Sequence, residues 1–277
     1  MPVQVLEESF SRIKVLFDGF SRMHVNSIRR AAISLVPVMA IDDVVILENT
    51  SSFYDEVISH RLGLIPLKTP ADKYLLPSEC DCKNALGCPK CRVLFVLDAE
   101  ATDRVREVYS AELVSEDEEV KPVSQNIPIL KLAAGQKIKL EAYAKLGRGK
   151  SHAKWQAVSV SVLESYPVIV QNKSCNNCGA CVDACPRNVF VMRDGLLNID
   201  NPLSCNLCLE CLEGCDTEPK GISVSESGDK FILVIESVGS MSARDILLQS
   251  IKEVMSQVDE VIGKFSGEVI TVEKEKQ

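Results

Sequence analysis

The residues with the clearest chemistry in this 277-residue chain are its 12 cysteines. They fall at 80, 82, 88 and 91, then at 175, 178, 181 and 185, then at 205, 208, 211 and 215, with none left over. In a reducing compartment a disulfide framework is disfavoured, so close-spaced groups of four thiols point to metals. The second group reads CxxCxxCxxxCP and the third CxxCxxCxxxC. In paired runs of this kind, three thiolates of one run wrap a cubane while the fourth, on the helix that follows, reaches the neighbouring cluster. That geometry predicts one 4Fe-4S cluster on Cys175, Cys178, Cys181 and Cys215, and a second on Cys185, Cys205, Cys208 and Cys211. Two zinc sites are the competing reading, disfavoured because zinc pairs come as CxxC knuckles at longer separations. Asp216 follows Cys215 where such motifs carry proline, which leaves open the type and stability of the second cluster. The first group, Cys80, Cys82, Cys88 and Cys91 in "CDCKNALGCPKC", suits a tetrahedral structural zinc, with labile disulfides or no metal as alternatives.

The elements that must hold these thiols follow from the apolar pattern. Between the two cluster runs, Asp194-Gly195 flanked by apolar residues signals a hairpin. Ile13, Val15 and Phe17 alternate as in a half-buried strand, and Ile28, Ala32 and Leu35 recur at helical spacing over 26–36 until Pro37. From about 42 to 165 the chain is rich in period-two segments: Val93, Phe95, Leu97; Ile138, Leu140, Ala142, Ala144; Val158, Val160, Val162. These predict a mostly antiparallel sheet. The acidic run at 115–122 reads as a solvated loop, and "KLGRGKSHAK", with Lys145, Arg148, Lys150, His152 and Lys154, as a solvated basic hairpin tip, with a phosphate or partner contact as the alternative. After the strand "KFILVIES", Leu247, Ile251, Val254, Val258, Val261 and Phe265 are spaced 4, 3, 4, 3, 4, the spacing of a heptad seam. Left exposed, such a stripe invites association, so either the same domain or a partner chain must cover it.

Composition bounds the rest. Apolar residues at 46% and charged residues at 25% describe a globular protein long enough for more than one domain. The longest nearly apolar run, Ile33 to Ile41, is too short for a membrane span. Two early glutamates sit where a signal peptide would be apolar, so the expected location is the cytoplasm. A net charge of -8 argues against direct nucleic-acid binding by the chain alone.

Residues 26–69, "NSIRRAAISLVPVMAIDDVVILENTSSFYDEVISHRLGLIPLKT", resemble the amino-terminal signature of the D subunit of archaeal RNA polymerase, a relative of the bacterial alpha and eukaryotic third subunits. The "RGKSHAKW" loop at 148–155 and the closing "FILVIESVGSMSARDIL" extend the likeness over nearly the whole chain. The resemblance implies an α+β fold with a discontinuous alpha-like dimerisation domain, 1–41 and 225–277. Into it would be inserted a strand-rich domain, 42–168, carrying the CxC/CxxC loop, and a ferredoxin-like double-cluster domain, 169–224. It implies a scaffold without catalytic residues, in which the heptad helix, with Ile28 and Leu35, faces subunit L. Subunit N and the second-largest subunit would dock on surfaces that include Arg61, Arg148, Lys150 and His152. It also favours zinc at Cys80 to Cys91. A cluster-based redox or oxygen sensor is the alternative from a different class. A ferredoxin-type electron carrier is disfavoured, because the chain shows no dinucleotide fingerprint, haem attachment or flavin-type motif.

Overall fold

Alternating and helical apolar patterns resolve into a fold of the expected α+β class in the computed structural model, which describes residues 2–82, 84 and 86–265. Residues 266–277, and Lys83 and Ala85 of the first cysteine loop, lie outside the described residues. In chain order the elements are β1 (Val3–Glu8), β2 (Arg12–Asp18), α1 (Arg22–Ser34), β3 (Pro37–Asn49), α2 (Asp55–Gly63) and β4 (Arg92–Glu100). There follow β5 (Arg106–Tyr109), β6 (Val114–Ser115), β7 (Pro128–Leu132), β8 (Lys137–Arg148) and β9 (Val158–Gln171). The chain continues through α3 (Ala180–Ala184), β10 (Phe190–Arg193), β11 (Leu196–Ile199), α4 (Glu210–Glu213), β12 (Ile222–Ser237) and α5 (Ala243–Phe265). Strands β1, β2, β12 and β9 are neighbours in that order in one sheet, so early and late parts of the sequence pair.

The chain divides into two units, one made of Met1–Leu6, Val15–Val25 and Leu163–Leu233, the other of Glu7–Lys14, Asn26–Val162 and Val234–Gln277. The second unit holds the antiparallel sheet β3-β8-β4-β6. Its register sets Val93, Phe95 and Leu97 of β4 against Ala144, Ala142 and Leu140 of β8, all buried. This is the period-two pattern at work, since alternate side chains share a face. Helix α2 adds Ile58 and Leu62 to the same core. Asp55 and Glu56 in its first turn and His60 and Arg61 in its last match the helix dipole at both ends.

Four expectations need correction. Helix α1 starts at Arg22, not at Asn26. Ser21 precedes it, with its carbonyl accepting from His24 and its hydroxyl contacting the His24 ring at 3.0 Å, the kind of start that polar residues favour and apolar periodicity misses. In β9, Val158 is buried but Val162 is exposed, because the alternation changes phase within the strand, and beyond it Leu163, Ser165, Pro167 and Ile169 are the covered positions.

The acidic run is not merely a solvated loop. Val120 within it is fully buried, and Asp117 pairs with Lys73 at 2.8 Å and accepts from the Tyr74 hydroxyl. The basic stretch is likewise not all solvated. Lys145 is buried and pairs with Asp43, while Lys154 Nζ meets Asp42 at 2.6 Å and the Ile41 carbonyl at 3.2 Å. The loop folds back so closely that a Cβ on Gly147 would fall 2.3 Å from the Trp155 ring. The indole donates to the Lys145 carbonyl at 3.2 Å.

Candidate metal centres

The cysteine-rich segment lies in the first unit, and backbone stitching brings its ends together. Asn172 N donates to the Gly221 carbonyl at 2.8 Å, Asn172 Nδ2 and Ser174 Oγ donate to the Lys220 carbonyl, and Lys220 Nζ reaches the Cys215 carbonyl at 2.6 Å. The last cysteine is thereby returned to the first. Cys175, Cys178, Cys181 and Cys215 line one small cavity. The other four form a second neighbourhood, in which Cys185, Cys205 and Cys208 act electrostatically on Cys211. Between them β10 and β11 form the hairpin expected at Asp194-Gly195, with Arg193 opposite Leu196 and both turn residues at positive φ, 53° and 75°. That is the two-residue geometry that matches strand twist.

Electrostatics says what these neighbourhoods lack. Burial, with the nearby Cys185, Cys205 and Cys208, pushes the Cys211 thiol up to about 11. Burial also raises Cys181, with Cys175, Cys178 and Cys215 adding to it. Cys215 is lowered instead, by the Thr217 hydroxyl and then the Gly221 N–H, which lies 3.3 Å from its sulfur. Several thiolates crowded together repel one another, and only a cation placed among them stabilises all of them at once. The donor set, four soft sulfurs per neighbourhood, fits an iron–sulfur cluster. Such a group would supply the cross-link that this small core lacks, and one-electron chemistry where a partner presents electrons.

The first group sits in the second unit, on the loop leading into β4. Its four sulfurs lie within 4.8 Å of one another. Individual separations are 3.6 Å for Cys80–Cys88, 3.5 Å for Cys82–Cys91 and 3.9 Å for Cys88–Cys91. A tetrahedral ion with metal–sulfur bonds of about 2.3 Å spaces its sulfurs by about 3.8 Å, so the set fits zinc. Gly87, at φ +85°, lets the loop pass the Cys91 sulfur. The Lys90 backbone N–H, with the neighbouring thiols, holds Cys88 down at about 7, and the Cys88 N–H donates to Cys91 Sγ at 3.2 Å.

The helical seam is not uniform. Leu247 is buried and Ile251 and Val254 are half-buried, whereas Val258 and Val261 are each 51% exposed and Phe265 is 89% exposed. Ile28 and Leu35 near α1 are half-buried. Among the other residues singled out from the sequence, Arg61 donates to the Pro128 carbonyl at 3.2 Å and lies over Phe53. Arg148 pairs with Glu253 of α5 at 3.0 Å. Lys150 and His152 are exposed, and His152 Nδ1 accepts from the Lys154 N–H. Sequence reasoning missed Asn177, at φ 58°, whose Oδ1 accepts from Leu197 N at 3.1 Å and Gln171 Nε2 at 3.2 Å. The doubled asparagine of "CNNC" was the available signal.

Residues 35–166 match the family described as the RNA polymerase Rpb3/RpoA insert domain, and residues 167–216 match the 4Fe-4S dicluster domain. Over most of its length the chain is similar to proteins named DNA-directed RNA polymerase subunit Rpo3. That of Archaeoglobus fulgidus is 41% identical, covering 94% of this chain and 96% of the relative. The Methanosphaera stadtmanae protein is 37% identical over 97% of this chain and 100% of its own length. The Pyrobaculum calidifontis protein is 39% identical over 95% and 96%.

Proposed function

Because the chain belongs to the Rpo3 family of DNA-directed RNA polymerase, the archaeal counterpart of the bacterial alpha subunit, we propose that it is a non-catalytic assembly scaffold of that enzyme in the cytoplasm. In this reading α5 pairs with subunit L, and the subunit L–bound form docks subunit N and the second-largest subunit, with Arg61, Arg148, Lys150 and His152 on the docking side. Direct nucleic-acid contact by the chain alone is minor. No helix among the described residues is long and apolar enough to cross a membrane.

The observation that carries this reading is the exposed end of the α5 seam. Val258, Val261 and Phe265 continue the spacing of the buried Leu247 into solvent, and an apolar stripe of that kind needs a covering chain. Replacing Val258→Glu and Val261→Glu is expected to abolish co-purification with subunit L while the secondary structure of the chain is retained. Unchanged binding would overturn the assignment.

Cys175, Cys178, Cys181 and Cys215 would hold one 4Fe-4S cluster, Cys185, Cys205, Cys208 and Cys211 a second, and Cys80, Cys82, Cys88 and Cys91 a zinc ion. Metal binding to a site that does not pre-exist is itself folding free energy, so the clusters order residues 169–224. Serine at both Cys175 and Cys178 is expected to spare subunit L binding and to impair recovery of the full polymerase. Equal loss of both, or of neither, contradicts the structural role. The exposure of Cys178 and Cys208 supports a second reading, in which cluster oxidation regulates assembly. Identical assembly by air-oxidised and reduced protein would rule it out.

A further inference from the structure

The two cysteine runs turn into the left-handed region at the same two places but not with the same residues there. In the first, the residue before Cys178 and the residue after it, Asn177 and Gly179, adopt φ of 58° and 85°. In the second, the residues at the matching places around Cys208 are Leu207 and Leu209, at φ of 59° and 66°. Left-handed backbone is natural for glycine and tolerated by asparagine, whereas a leucine there brings its Cβ against the carbonyl oxygen. Asn177 also anchors its loop through Leu197 and Gln171, while the Leu209 side chain is 44% exposed. The first run therefore reaches its ligand geometry with residues that suit it. The second is held in a conformation its residues resist.

We infer that the two clusters are held unequally, and that the one on Cys185, Cys205, Cys208 and Cys211 is released first. This inference rests on the cluster assignment made above. When iron leaves, the second loop relaxes out of the left-handed region and recovers the strain energy, so binding there is weaker by that amount. The first loop recovers little. The asymmetry gives the chain a one-cluster state, in which the cluster on Cys175, Cys178, Cys181 and Cys215 alone remains.

The test follows iron release from the full-length, anaerobically purified chain in complex with subunit L, with an iron chelator taking the iron and the sulfide leaving as hydrogen sulfide. Electron paramagnetic resonance and absorbance report the clusters. Release is expected in two phases of equal amplitude. Leu209→Gly should slow the fast phase by roughly tenfold and leave the slow phase unchanged. The reciprocal variant is Gly179→Ala, whose new Cβ has room beside Met192 at 3.7 Å and so adds backbone strain without a clash. It should speed the slow phase and leave the fast one alone. A single phase, or a fast phase that responds to Gly179→Ala and not to Leu209→Gly, overturns the inference while leaving the two-cluster reading standing. Protein that binds no iron overturns both.

Discussion

The strand-rich sheet and the cysteine-rich segment solve the same problem with different materials. In the sheet, Phe95, Leu97, Ile138 and Leu140 are each fully buried and are joined by Ile58 and Leu62 from α2. Each such side chain contributes about 1.5 to 3 kcal/mol by leaving water, so this core is held by conventional apolar packing. The cysteine segment buries only Val189, Phe190, Leu197 and Ile222 as conventional apolar side chains, and its remaining buried cluster members are Cys181 and Cys211. Short helices α3 and α4 and a hairpin of four-residue strands add little. A polypeptide with so small a core needs another source of cohesion. The sulfur neighbourhoods are where a metal would supply it.

On that contrast, deleting apolar volume should matter most in the sheet. Phe95→Ala is expected to cost about 3 to 5 kcal/mol, read as a lower urea midpoint for the sheet, with iron content unchanged. Lys145→Ala strikes the same sheet from its charged side. It removes a buried ammonium paired with Asp43 and should cost about 1 to 3 kcal/mol by the same measurement. Val189→Ala removes fully buried volume from the cysteine segment, a loss of about 1.5 kcal/mol. There the expected readout is faster iron release into a chelator, with the urea midpoint of the sheet unmoved. A shift of the sheet midpoint by Val189→Ala would blur the comparison.

The smallest effect is one of pH. Burial would raise the Asp117 carboxyl, but hydrogen bonds from Lys73 and Tyr74 outweigh it and hold the group at about 2, below the ordinary 3.8. A carboxyl depressed in the folded state contributes stability that is fully present above its unfolded value and is lost as pH falls through the folded value. Asp117→Asn should therefore lower the urea midpoint slightly at pH 6, and the gap to the parent should close between pH 4 and pH 2. A gap that widens on acidification would contradict the assignment.

What could be read from the sequence was local. The three cysteine groups, the Asp194-Gly195 turn and the alternation of β4 and β8 depend on residues a few positions apart, and each appears in the structure. Chemistry set by distant partners was not legible. Lys145 looked like a solvated charge because nothing nearby reveals Asp43, which reaches it only through the pairing of β3 with β8. Val120 looked solvated for the same reason, since the acidic residues around it hide one side chain that the sheet buries. The α5 seam was legible as a pattern, but which half of it is covered was not. That depends on where the unit ends and solvent begins. In the second cluster run, identical spacing concealed that leucine replaces asparagine and glycine at the left-handed positions.

The central claim is that metal does for residues 169–224 what side-chain packing does for the sheet. Amide hydrogen exchange, measured peptide by peptide before and after anaerobic removal of iron, tests it most directly. The account predicts that protection over 172–224 collapses on removal while protection over 92–146 persists. Protection retained in the cysteine segment without iron would contradict it.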